Sequence, residues 1–129
     1  GAFADSLILH ETDKMIAELK GSIEGEGMKW EDYLGKIRKA EPEIRAGLRP
    51  GAERRLKGAL LLRQIAIVEK LTAQEEEVKV RVKELETQYA RTPELLARIQ
   101  SDTYRDYQAG LIRNEKVLDL LRQHCIETK

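Results

Sequence analysis

Among its 129 residues the chain has a single cysteine, Cys125. One cysteine cannot close an internal disulfide, and this usage points to the cytosol. No apolar run approaches the roughly 18 residues that a membrane-spanning helix needs. No basic stretch followed by an apolar core marks a signal peptide. Charge of one sign is also missing, because 23 basic and 23 acidic side chains cancel. A non-specific nucleic-acid binder needs a basic surplus to release counterions, so that class is disfavoured. Aromatic residues make up only 5% of the chain. No segment of four or more residues alternates apolar and polar, so no strand is expected. The chain opens on Gly1-Ala2 without Met, which reads as a cloning scar or the cut end of a longer protein.

What is present suits long helices. Charged residues reach 36%, and Leu, Glu, Lys, Arg and Ala are abundant. The length allows one domain with a modest core. Ile8, Thr12, Met15, Ile16, Leu19 and Ile23 predict a helix over about 5–24, capped by Asp5 or Ser6 and ended by Gly25 and Gly27. Met28, Trp30, Tyr33, Leu34 and Ile37 fit a short second helix. Pro42 suits the first turn of a third, and Pro50 should kink or break that helix near Ala46. A further piece runs from about 52 to 70. Thr72-Ala-Gln-Glu75 predicts a capping box for the next helix, with Glu75/Lys79 and Glu77/Arg81 as i,i+4 pairs. Thr92-Pro93 starts a short helix, and Ser101 caps a last one. On that last helix Tyr104, Tyr107, Leu111, Leu118, Leu121 and Cys125 share one face, which is expected to pack. The pattern is all-α, built of helical hairpins.

No catalytic constellation emerges. His10-Glu11 begins like a zinc-protease motif, but Lys14 stands where the second histidine belongs. His124-Cys125 lacks the further ligands a metal site needs. Glu75-Glu76-Glu77 reads as charge that favours a helix N-terminus. No glycine loop cradles a phosphate, so neither cofactor nor metal is expected. The basic cluster Lys36, Arg38, Lys39, Arg45, Arg49, Arg54, Arg55 and Lys57 is broken by Glu41, Glu43 and Glu53 and has no interleaved aromatics. It reads as a solvated helix face rather than a nucleic-acid site.

The segment 52–66, AERRLKGALLLRQIA, is the most apolar stretch. Leu60, Leu61 and Leu62 diverge by about 100° each on a helix, so one partner cannot cover all three. Such a helix is either a packing spine between several neighbours or a surface for binding. Val80, Ile112 and Leu120 fall off their helices' apolar stripes. They are isolated surface residues, extra contacts with a neighbouring helix, or the lining of an exposed groove.

Ala52-Glu53-x-Arg55-x-Lys57-x-x-Leu60-Leu61-Leu62-x-x-Ile65-Ala66, followed by Glu69-x-Leu71-Thr72 and Glu75-Glu76-Glu77-Val78, resembles the C-terminal region of bacterial trigger factor. So do Leu7-Ile8-x-x-Glu11-x-Asp13-x-Met15-x-x-Glu18-Leu19, Met28-Lys29-Trp30-Glu31-Asp32-Tyr33-Leu34, Tyr89, and Arg113 through Leu121. The order and spacing of these segments carry the resemblance over almost the whole chain. It implies a single all-α chaperone domain with two arm-like halves, about 1–70 and 71–129, akin also to SurA-type periplasmic chaperones. It implies binding of unfolded or nascent polypeptides in an apolar cradle, without ATP, in the bacterial cytoplasm. It implies no catalysis by this chain. The family's ribosome-docking loop and its FKBP-like prolyl isomerase domain have no counterpart here, so ribosome contact would lie outside it.

The candidate peptide-binding residues are Met15, Met28, Trp30, Leu61, Leu62, Val80, Ile112 and Leu120. Membrane and nucleic acid are not expected partners. The alternative is a structural helical module that docks a dedicated partner, or a homodimer that buries the leucine helix.

Overall fold

Each of the first three helices stops in the same way. In the computed structural model, which describes residues 1–127, α1 (Ala2–Gly25), α2 (Trp30–Ile37) and α3 (Glu41–Val68) each end on a residue in the left-handed region. After α1, Gly27 has φ 89° and the Met28 N–H donates to the Ile23 carbonyl at 3.2 Å. After α2, Arg38 has φ 55° and the Lys39 N–H donates to Leu34 at 3.2 Å. After α3, Lys70 has φ 55° and the Leu71 N–H donates to Ala66 at 2.8 Å. These long back-bonds satisfy carbonyls at the helix ends and reverse the chain. Glycine is the inexpensive residue there, and Arg38 and Lys70 carry a Cβ at a cost of roughly 1 kcal/mol each.

Three more helices follow: α4 (Glu75–Gln88), α5 (Pro93–Ile99) and α6 (Asp102–Glu127), with no strand among the described residues. Pro93 takes the first helical position of α5, and the Ser101 Oγ accepts the Tyr104 N–H at 3.2 Å, so both predicted starts hold. Two expectations do not. α1 starts at Ala2, where Asp5 lies in its first turn and pairs with Arg49 instead of capping. The capping bond of α4 forms at Gln74, whose N–H donates to Glu77 Oε1 at 2.9 Å, not at Thr72. Glu77 is held there because it also receives Lys116 of α6 at 2.6 Å.

Pro50 neither breaks nor ends α3, which continues through it. Proline removes the hydrogen bond to the carbonyl four residues back. Ala46 and Pro50 both lie in exposed positions, so water can satisfy the freed carbonyl. The chain divides into two compact units, Gly1–Leu60 and Leu61–Lys129, and the division falls inside α3.

In the first unit α3 meets α1 at small residues. Ala52 is fully buried, and a Cβ on Gly51 would lie 3.2 Å from the Met15 Cε. Thr12 and Ile16 are buried on α1. Charge fixes the pairing around them: Arg45–Asp13 at 2.6 Å, Arg49–Asp5 at 3.0 Å and Arg55–Glu18 at 3.0 Å. Trp30 anchors α2. Its Nε1–H donates to Glu41 Oε1 at 3.1 Å, Lys20 Nζ sits 5.4 Å from its ring, and Tyr33 stacks at 5.6 Å. In the second unit Val78 and Val82 of α4, Ile99 of α5 and Ile112 of α6 form the core, with Ala73, Leu85, Tyr89, Tyr104 and Ala109 packed around them.

Two consequences are testable. Gly58 lies in the interior of α3, is exposed, and a Cβ there meets nothing within 4 Å. Gly58→Ala should therefore stabilise the chain by about 0.5–1 kcal/mol, read as a higher urea midpoint with an unchanged m-value. Lys20, then Arg45 and Trp30, hold the Glu41 carboxyl below the usual range. Lys116 and the Gln74 N–H do the same for Glu77, and Arg81 does so for Glu115. A carboxylate with a depressed folded pKa contributes stability above its unfolded pKa, which is lost as pH falls through the folded value. Thermal stability should therefore be level near neutrality and decline below about pH 4.5, the ordinary glutamate value. Glu77→Gln should flatten that decline, and an unchanged acid profile in this variant would contradict the assignment.

Candidate functional site

The steps of four and three residues that link Tyr107, Leu111, Asn114, Leu118, Leu121 and Cys125 make them the obvious packing face of α6. Of that predicted face Tyr104 packs against the core, while most of the rest turns outward. Tyr107 is 57% exposed, Leu118 41% and Leu121 39%, and Cys125 is exposed as well. Leu111 and Asn114 are half-buried. The inner face is instead Gln108 at 5% exposure, Ile112 at 4% and the fully buried Val117, with Tyr104, Ala109, Lys116 and Leu120 half-buried.

The cause lies on α4. Arg81 donates through Nη1 and Nη2 to the two carboxylate oxygens of Glu115 at 2.8 and 2.7 Å. Lys116 donates to Glu77 Oε1 at 2.6 Å and to the Thr72 carbonyl at 2.8 Å. Ile112 is one helical turn below these two residues and faces between them, so it is driven onto Val78 and Val82. The charged contacts are strong enough to act on Arg81 as well, whose guanidinium pKa is raised chiefly by the Glu115 carboxylate. The expected Glu77/Arg81 pair within α4 gives way to these reaches across to α6.

The same inversion appears on α3. Ile67 and Val68 are among the most exposed large apolar residues, and Leu60 and Leu61 are exposed too. Leu62 and Ile65 are half-buried, and Ala66 is buried. A small residue packs inward while large ones face solvent. Across the described residues, more large apolar side chains stand exposed than are buried.

The predicted residues fall into three groups. Leu61 and Val80 are exposed, Val80 in an open cleft of about 420 Å³ among Glu76, Glu77, Arg81 and Glu84. Met15, Met28, Leu62 and Leu120 are half-buried. Met15 packs against Gly51, and Met28 lines a cleft of about 270 Å³ at the turn after α1. Trp30 and Ile112 are the buried candidates, and Trp30 also borders the cleft that Met28 lines. Both are core residues, Trp30 because its indole is consumed by Glu41, Lys20 and Tyr33, and Ile112 because α4 claims its side chain. Tyr107, Leu118 and Leu121, which the periodicity places on a packing face, are exposed. The available signal was charge: Glu77 and Arg81 flank Val78 and Val82, and Glu115 and Lys116 carry the complementary signs beside Ile112.

Leu118, Leu121, Arg122, Cys125 and Ile126 line an open cleft of about 400 Å³ toward the end of α6. Among the described residues no three His, Cys, Asp or Glu side chains gather as a metal site, and no helix is long and apolar enough to cross a membrane. The arrangement is that of an all-helical module with apolar outer faces. The chain belongs to the bacterial trigger factor family: the profile described as "Bacterial trigger factor protein (TF) C-terminus" matches residues 3–123. It is 32% identical to trigger factor of Clostridium kluyveri over 116 residues, covering 89% of this chain and 27% of that protein. Against trigger factor of Clostridium acetobutylicum it is 29% identical over 120 residues, covering 92% and 28%. Against that of Clostridium botulinum strain Loch Maree it is 32% identical over 126 residues, covering 94% and 28%. The chain thus spans little more than a quarter of the length of these relatives. No solved structure matches it.

The two faces of α6 should respond differently to truncation. Ile112→Ala should cost about 2–4 kcal/mol, as for a buried aliphatic in a small core. Leu118→Ala should stay within about 0.5 kcal/mol. Chemical denaturation of both variants checks this, and equal losses would mean that the outer face packs.

Proposed function

We propose that this chain is a client-binding part of an ATP-independent chaperone, holding unfolded or nascent polypeptides on its apolar outer faces. The observation that carries this reading is the inverted pattern of α6, with Gln108 buried while Leu118 and Leu121 stand in solvent. A helix that breaks the inside–outside rule points to a functional demand at that place. Removal of apolar area from water gives roughly 25 cal/mol per Å² without directional requirements. Several separated aliphatic patches therefore hold many sequences weakly rather than one tightly. The evenly mixed charges around them keep the empty surface soluble. The similarity to trigger factors supports the reading. Ribosome docking and prolyl isomerisation would then belong to parts of the parent protein outside this chain, which acts without catalysis in the cytoplasm.

The spacing of the outer α6 residues favours a second reading, because steps of four and three are those of a helix-pairing seam. In that case a second copy covers the face.

The test is suppression of aggregation of a denatured client by the chain in excess. The triple variant Tyr107→Ser, Leu118→Ser, Leu121→Ser should keep its thermal midpoint within a few degrees and lose most of the suppression. Undiminished suppression by this variant overturns the reading. Sedimentation separates the alternative, since a stable dimer that dissociates in the same variant would favour the self-paired helix.

A further inference from the structure

The turn after α3 forms a cleft of about 460 Å³ in the second unit, lined by Arg63, Ala66, Ile67, Lys70, Leu71, Thr72 and Arg113. Three of these residues are cationic and none is acidic. Elsewhere in this unit Lys79, Arg81, Lys116 and Arg122 each lie against a carboxylate, while other cations such as Lys83, Arg91, Arg98 and Arg105 stand singly, outside this cleft. At the cleft three cations gather with no acidic residue among them. Arg63 and Lys70 make no ion pair among the described residues, and Arg113 directs Nε and Nη2 to the neutral Asn114 Oδ1 at 3.4 and 3.3 Å. Lys70 also occupies the left-handed position, φ 55°, where glycine would cost less. The remaining wall is aliphatic: Ala66, Leu71 and the largely exposed Ile67.

We propose that this cleft takes a carboxylate of a bound client chain, next to an aliphatic side chain that rests on Ile67 and Leu71. The proposal rests on the client-binding reading and adds a chemical preference to it. Three uncompensated cations supply the attraction. The aliphatic wall selects an acidic group within an apolar segment rather than a free small anion. Nucleic acid fits less well, because no aromatic residue lines the cleft for stacking and the chain has no basic surplus. An Asp or Glu side chain and a chain end share this carboxylate chemistry.

The experiment measures fluorescence anisotropy of short labelled leucine-rich peptides with the intact chain. One peptide is capped at both ends and carries a central Glu, one has Gln in its place, and one has Gln with a free C-terminal carboxylate. At low salt the Glu or free-end peptide should bind about fivefold tighter than the capped Gln peptide, in line with partly exposed ion pairs. About 1 M salt should erase the gain. The variant Arg63→Gln, Lys70→Gln, Arg113→Gln should abolish the gain and leave the capped Gln peptide's affinity unchanged. Lys70→Gly, which relieves the backbone at that position, should reduce the gain while folding at least as stably. Whichever of the two carboxylate peptides gains identifies the source. Equal binding of all three peptides overturns the carboxylate proposal and leaves client binding standing. Failure of all three to bind overturns both. Tight, steeply salt-dependent binding of oligouridylate, lost in the same triple variant, would overturn it in favour of a nucleic acid.

Discussion

The second unit depends on how α6 is rotated against α4, and two charged contacts set that rotation. Arg81 grips Glu115 through both oxygens, and Lys116 bridges Glu77 and the Thr72 carbonyl. These side chains are a third to a half exposed, so solvent screens each contact and it adds little to total stability. Their effect is on choice rather than on total stability. The core they enclose is small, with Val78, Val82, Ile99 and Ile112 at its centre. Rotating α6 to bury Leu118 and Leu121 would expose Ile112 and Val117 and separate four paired charges. A planar guanidinium on a carboxylate is also geometrically demanding, so it rejects neighbouring rotations more sharply than apolar packing does.

Once that rotation is set, the outer face follows. Tyr107, Leu118 and Leu121 have nowhere to go but outward. The first unit uses the same device in a different place. Arg45, Arg49 and Arg55 reach from α3 to acidic residues of α1, and the apolar contact beneath them is made by small residues, Gly51 and Ala52. In both units charge positions the helices while large aliphatic residues remain available. A surface built this way can stay apolar without its helices collapsing onto one another.

Much of the architecture was legible in the sequence, and the reasons are local. Glycine at 25 and 27, proline at 93 and serine at 101 act within one turn, so the ends they mark were read correctly. Family membership was legible from the order of segments rather than from any one motif. The failures are all tertiary. Pro50 was expected to kink or break the helix; it does not break it, because the carbonyl it frees is exposed, which is not visible in sequence. The start of α4 moved from Thr72 to Gln74 because Lys116 recruits Glu77 from a distant helix. Ile112 falls off the apolar stripe of its helix yet is buried against α4, because hydrophobic periodicity identifies the most apolar face of a helix, not the buried one. On α6 these two faces differ, and only the pairing of charges between helices separates them.

The central claim is that the face of α6 selected by its charges is the one that meets client chains. Methyl NMR of the Ile-, Leu- and Val-labelled chain, titrated with an unfolded apolar polypeptide, tests it residue by residue. The account predicts that Leu118, Leu121, Leu61 and Ile67 shift and broaden together while Ile112, Val82 and Val117 hold their positions. Shifts confined to those core methyls, or spread evenly over both sets, would contradict it.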